Sequence, residues 1–188
     1  MKKVLSTLSF MALASCSLQA QSLKDLFLKM PQEVCPILSE YNRLELVDNQ
    51  KNNKPMQTRN LLRKISTMKE LTDDYAHLIL SDQSEKTFKL LTKSDDSKVI
   101  LLINTVFCDS IPDSSISFYS TDWQPLDATA FISTPTSKEF RQITISPSSD
   151  NLTILTSQPF VVQVVGDEAK PQPAPLTATL QWNGNSFQ

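Results

Sequence analysis

Val99-Ile100-Leu101-Leu102-Ile103-Asn104-Thr105-Val106-Phe107 is apolar at almost every position. A strand with one wet face alternates apolar and polar side chains, so an unbroken apolar run predicts a central strand buried on both faces. Upstream, Tyr75 to Ser81 alternates, with Tyr75, His77 and Ile79 on one side and Ala76, Leu78 and Leu80 on the other. Phe88 to Thr92 follows a Gln83-Ser84-Glu85-Lys86 turn, and Arg59 to Ile65 and Thr67 to Leu71 are further strand candidates. Downstream, Ser115 to Ser120 puts Ile116 and Phe118 on one side and Tyr119 on the other. Extended segments roughly ten residues apart with short polar turns predict an antiparallel meander.

Helices precede the strands. Ser22 is an N-cap candidate, and Leu23, Leu26, Phe27 and Met30 recur with helical spacing until Pro31 stops the run. A second helical stretch is expected near Pro36, with Ile37, Leu38 and Tyr41 facing together. Asn42 with Glu45 reads as a capping box for a third, and Asp48 to Pro55 as a polar loop.

The second half is mainly β. Ala130 to Ser133 reads as a short strand and Ser137 to Arg141 as one helical turn. Ile143 with Ile145, Asn151 to Thr156, Phe160 to Val165 and Thr177 to Trp182 read as strands. Lys170 to Pro175 is a proline-rich spacer, Asn183-Gly184 a tight turn, and Trp182 with Phe187 a cross-strand aromatic pair. The expected class is α+β: short N-terminal helices on an antiparallel meander, with a second, mainly β half.

Residues 1–20 have the form of an export signal: Lys2 and Lys3, the apolar run Val4 to Ala14, then small residues. Two exits compete. Leu13-Ala14-Ser15-Cys16 resembles a lipobox, which would acylate Cys16, whereas Leu18-Gln19-Ala20 offers ordinary cleavage before Gln21. Residues 21–188 then form one α+β domain, divisible into 21–126 and 127–188, in the periplasm or on the outer membrane as a lipoprotein. Membrane contact is expected only through that lipid.

Loss of Lys2 and Lys3 from 18 basic residues leaves 16, against 20 acidic ones. That balance argues against nucleic acid, and no basic cluster stands out. Cys35 and Cys108 remain; an oxidising compartment permits a disulfide, but two cysteines carry no spacing pattern, and two separately buried thiols is the favoured reading.

Chemistry-bearing motifs are few. With only Gly166 and Gly184, neither a phosphate-cradling loop nor a nucleophile elbow can be built. His77 is the single histidine, and no histidine pair or cysteine cluster suggests zinc. Asp73-Asp74, Asp95-Asp96, Asp109, Asp113 and Asp122 lack calcium-loop spacing and read as turn residues, so no metal or other cofactor is expected. Phe118-Tyr119-Ser120-Thr121-Asp122-Trp123 is the most distinctive stretch, with Tyr119, Asp122 and Trp123 as candidate binding residues. Against that, Trp123 closing the core while Asp122 caps the turn is the stronger reading.

Several stretches in order resemble an uncharacterised family of exported Bacteroidales-type proteins carrying a domain of unknown function. They are Leu26 to Pro31, Asn42 to Asp48, Leu71 to Tyr75, Phe118 to Trp123, Asn151 to Thr156 and Trp182 to Phe187. The resemblance implies an envelope-exported α+β domain and carries over no catalytic or binding residue. The chain departs from the family pattern at Ser133 to Gln142, where a longer helix is expected.

Together these readings favour a non-catalytic envelope protein that binds another protein or a surface ligand. The alternative is a carboxylate-based hydrolase of glycan or peptide pairing Asp122 with Asp73 or Asp74.

Overall fold

Seven antiparallel strands cross one sheet in chain order: β1 (Gln57–Arg59), β2 (Ile65–Leu71), β3 (Tyr75–Ser81), β4 (Ser84–Thr92), β5 (Lys98–Cys108), β6 (Ile111–Ser120) and β7 (Pro125–Leu126). The computed structural model describes residues 21–132, 140–157 and 176–188. Strand β5 is paired along both edges, from Thr92↔Lys98 to Ser84↔Val106 with β4 and from Val99↔Ser120 to Cys108↔Ile111 with β6. Its side chains divide between two cores. Ile100 and Leu102 join Ala76, Leu78, Phe88 and Leu90 on the helix side. Val99, Leu101 and Ile103 join Leu91 and Phe118 on the other. Burial on both faces is why this stretch lacks polar alternation.

Helix α1 (Leu23–Leu28) starts where Ser22 Oγ accepts the amide of Asp25, and it buries Leu23, Leu26 and Phe27. Met30 is buried just past its end. Helix α2 (Glu40–Lys51) is capped by Ser39, whose Oγ accepts the Asn42 amide while Asn42 Oδ1 accepts the Ser39 amide. The capping box is therefore Ser39–Asn42, not Asn42–Glu45, and Glu45 instead accepts from the Thr58 hydroxyl. No helix begins at Pro36. Gln32–Val34 is a 3-10 turn, and Ser39 resets the phase so that Leu38 is buried while Tyr41 is exposed. Asp48 to Lys51, expected as loop, completes α2.

The strand limits also move. Arg59 to Ile65 is not one strand, because a turn at residues 60–64 separates β1 from β2. The turn expected at Gln83 to Lys86 is tighter, with β4 already running from Ser84. Ala128–Ala130 is a 3-10 turn, not the start of a strand.

Strands β8 (Phe140–Ile145), β9 (Asn151–Ser157) and β10 (Leu176–Gln181) form a second antiparallel sheet, ordered β10-β9-β8. Its Ile143, Ile145, Leu152 and Ile154 pack into the core that takes Val99, Leu101, Ile103 and Phe118 from the large sheet. The large sheet thus has helices on one face and a small sheet on the other. Arg141 lies in a strand, not a helical turn. Residues 133–139, the Phe160–Val165 strand and the Lys170–Pro175 spacer lie outside the described residues.

Trp182 and Phe187 pair as a bridge with ring centroids 5.2 Å apart. The turn between them depends on Gly184 at φ +94°, whose carbonyl accepts the Ser94 amide at 2.9 Å. A Cβ there would press on Ser94 Oγ and on its backbone nitrogen at 3.2 Å. Gly184→Ala is therefore expected to cost about 1–2 kcal/mol, read as a lower thermal midpoint by circular dichroism. An unchanged midpoint would show that this turn does not constrain the C-terminal sheet.

Candidate functional site

Trp123 is buried in the helix-side core and its indole Nε1 donates to the Leu26 carbonyl at 3.0 Å. That carbonyl lies in the last turn of α1, where helical partners run out. The ring also meets Phe88 edge-on at 6.2 Å and Tyr119 at 5.6 Å. Trp123 therefore latches α1 and offers no rim at the surface. Tyr119 is half-buried beside it and Asp122 is exposed. Ser120, not Asp122, caps the turn, its Oγ accepting the amides of Asp122 and Gln124.

Asp122 is not brought to Asp73 or Asp74. These lie in the β6–β7 and β2–β3 turns, with strands β3 to β6 between them, four strand spacings or roughly 19 Å apart along the sheet. Asp74 accepts from Lys89 at 2.8 Å and the Asp73 carbonyl accepts the Leu23 amide. His77 Nε2 is engaged with Glu85 at 3.1 Å. Among the described residues no group of three histidine, cysteine or carboxylate side chains is placed to hold a metal.

Both cysteines are free, but Cys108 is exposed instead of buried. Burial pushes the Cys35 thiol above its ordinary pKa, against the opposing pull of Lys86 and Arg43. A thiol kept protonated in this way is a poor nucleophile.

The structure instead assembles a surface that the sequence reading did not single out, at the turn joining β1 to β2. Its centre is Asn60, almost fully buried. Asn60 Nδ2 donates to Ser66 Oγ at 2.9 Å and to the Leu80 carbonyl at 3.0 Å. Its Oδ1 accepts the amides of Leu62 and Lys64 at 3.0 and 3.1 Å. The Asn60 amide donates to the Lys64 carbonyl, and the Leu61 amide reaches the Ile37 carbonyl. Every polar atom of the asparagine side chain is satisfied, so the loop has a defined shape.

What this rigid loop displays is apolar. Leu61 is 60% exposed, Leu62 62% and Ile65 51%, and Tyr41 of α2 is 72% exposed. Helix α2 adjoins the loop through Asn42 Nδ2, which donates to the Arg59 carbonyl at 3.0 Å. Arg59, Arg63 and Lys64 surround the leucines, and none makes an ion pair among the described residues. The detectable signal was charge: residues 49–69 hold Lys51, Lys54, Arg59, Arg63, Lys64 and Lys69 with no acid among them. The expectation that no basic cluster exists is thereby corrected. These cations are spread over a helix end, a loop and two strands, which disguised them.

Two other hairpin tips at the same end of the sheet border an open depression of about 420 Å³ lined by Asp82, Gln83, Phe107, Asp109 and Ser110. That corner is acidic where the Asn60 loop is basic.

Fold and surface together define an α+β domain whose large antiparallel meander is walled by helices and by a second small sheet. The chain belongs to the family described as protein of unknown function (DUF3256), whose model matches residues 15–172. Its structure is similar to that of a domain of an uncharacterized protein from Porphyromonas gingivalis W83, with a TM-score of 0.71 and 24% identity. The similarity covers 88% of this chain and 96% of that one, and it bears on the fold alone. No curated protein matches the chain.

Proposed function

We propose that this is an exported cell-envelope protein, periplasmic or held on the outer membrane, acting as a non-catalytic binding module that docks through the β1–β2 loop. The carrying observation is the pairing of a fully bonded, buried Asn60 with exposed Leu61 and Leu62. Exposed leucines on a loop rigidly shaped from beneath are what a docking surface requires, because little ordering entropy is lost on contact. Export is supported by the basic, apolar and small-residue order of residues 1–20. The working unit is residues 21–188, its halves 21–126 and 127–188 sharing the strand β5 wall. The hydrolase alternative gains no support from Asp122, Asp73 and Asp74.

The test compares retention by envelope fractions with and without the leucines, in protein carrying Cys16→Ser so that no acyl chain holds it. Leu61→Ser with Leu62→Ser should leave the thermal midpoint within about 2 °C, since both side chains are exposed, and reduce retention at least roughly tenfold. Retention unaffected by the double substitution would overturn the assignment of this loop.

A further inference from the structure

Resting on that reading, we infer that the partner of the β1–β2 loop is an anionic lipid surface, which the leucines enter and the surrounding cations hold. The chain carries net charge −2, yet residues 49–69 carry six cations and no acid. All six are exposed, and among the described residues only Lys51 makes an ion pair, with Asp48 at 3.4 Å. Arg59, Arg63 and Lys64 immediately flank the two leucines. A bilayer interface presents phosphates and acyl chains within a few ångströms of each other, so it takes both chemistries from one loop. Tyr41, with an apolar ring and a polar tip, suits the same boundary. The leucines stand on a hairpin tip, a shape that enters a soft interface more readily than it fills a rigid pocket.

The neighbouring acidic tips constrain the pose. Asp82 and Asp109 occupy the same end of the sheet, farther along from β1. Repulsion at those carboxylates tilts the domain so that it meets the surface through its β1 edge and the start of α2. The described chain starts at Gln21, whose carbonyl accepts from Lys98 at the β4–β5 end, opposite the loop. Among the described residues no helix is long and apolar enough to cross a membrane. The contact inferred is a peripheral one, made by the side chains of a single loop.

The experiment is vesicle co-sedimentation with the protein as recovered from exporting cells, carrying Cys16→Ser so that no acyl chain contributes. Mixed phosphatidylcholine–phosphatidylglycerol vesicles are compared with pure phosphatidylcholine. Binding should favour the mixed vesicles at least roughly tenfold, and fall as salt shortens the screening length. Leu61→Ser with Leu62→Ser, and separately Arg59→Gln with Arg63→Gln and Lys64→Gln, should each lower it roughly tenfold or more. Vesicle binding indifferent to these substitutions overturns the inference. No vesicle binding, with envelope retention still dependent on the leucines, overturns the lipid assignment while the docking loop stands, and points to an acidic protein. Retention independent of the leucines removes both.

Discussion

Trp123→Ala is expected to lower the thermal midpoint by roughly 10 °C, because removing a buried indole costs about 3–5 kcal/mol and each kcal/mol moves a chain of this size by about 2–4 °C. The indole fills the space between Phe88 and Tyr119 and supplies the partner of the Leu26 carbonyl. Its backbone sits at φ +60°, a left-handed conformation that costs about 1–2 kcal/mol in a non-glycine residue. Burial of the ring outweighs that strain. Trp123→Phe keeps most of the apolar contact and loses the hydrogen bond, so its cost should be nearer 1–2 kcal/mol. Circular dichroism melting of both variants checks this order. A shift under about 3 °C for the alanine variant would mean that α1 is not held by the latch.

Lys89 supplies the second large effect. Its side chain is 2% exposed, and Nζ donates to Asp74 at 2.8 Å and to the Pro147 carbonyl at 3.1 Å, with Asp150 at 3.6 Å. Pro147 and Asp150 lie between β8 and β9, so one buried cation ties the small sheet to the β2–β3 turn. Its partners differ in kind: Asp74 and Asp150 are about half exposed while the ammonium is sealed. Asp74→Asn with Asp150→Asn strands the buried charge and should cost about 3–5 kcal/mol in urea unfolding. Lys89→Met removes that charge and leaves two hydrated carboxylates, so about 1–2 kcal/mol is expected. The reverse order would show that the ammonium is not the group at risk.

The same cluster predicts an acid response. Burial tends to raise the Asp74 carboxyl, but hydrogen bonds from Lys89 and Thr72 and the Lys89 charge outweigh it, leaving its pKa below the ordinary value. A depressed folded pKa contributes stability above the unfolded value of about 3.9, and that contribution is lost as pH falls through the folded value. Stability plotted against pH should therefore drop more steeply below about pH 4 in the native protein than in Lys89→Met.

How far the fold could be read from the chain depended on the range of the deciding contact. Val99 to Phe107 was legible because burial on both faces leaves a local mark, the loss of alternation. Strand β3 was legible for the complementary reason: Ala76, Leu78 and Leu80 enter the helix-side core while His77 and Ile79 stay half-exposed. The start of α2 was misjudged because Ser39 and Asn42 are both good caps. Asn42 instead bonds Thr58 and the Arg59 carbonyl, sixteen and seventeen residues away.

The same limit hid the site. Arg59 to Ile65 reads as a strand through its leucines, and nothing local reveals that Asn60 bonds Ser66 and the Leu80 carbonyl to fold the segment into a turn. At Trp123 the stronger reading, an indole closing the core, is what the structure has, while its partner, the Leu26 carbonyl ninety-seven residues earlier, left no local mark.

Hydrogen exchange on the protein alone and bound to envelope material tests the docking surface most directly. New protection is expected in residues 59–65 and the first turn of α2, with the amides around Trp123 unchanged. Protection gained at Asp82, Gln83, Asp109 and Ser110 instead, or nowhere on the surface, would contradict it.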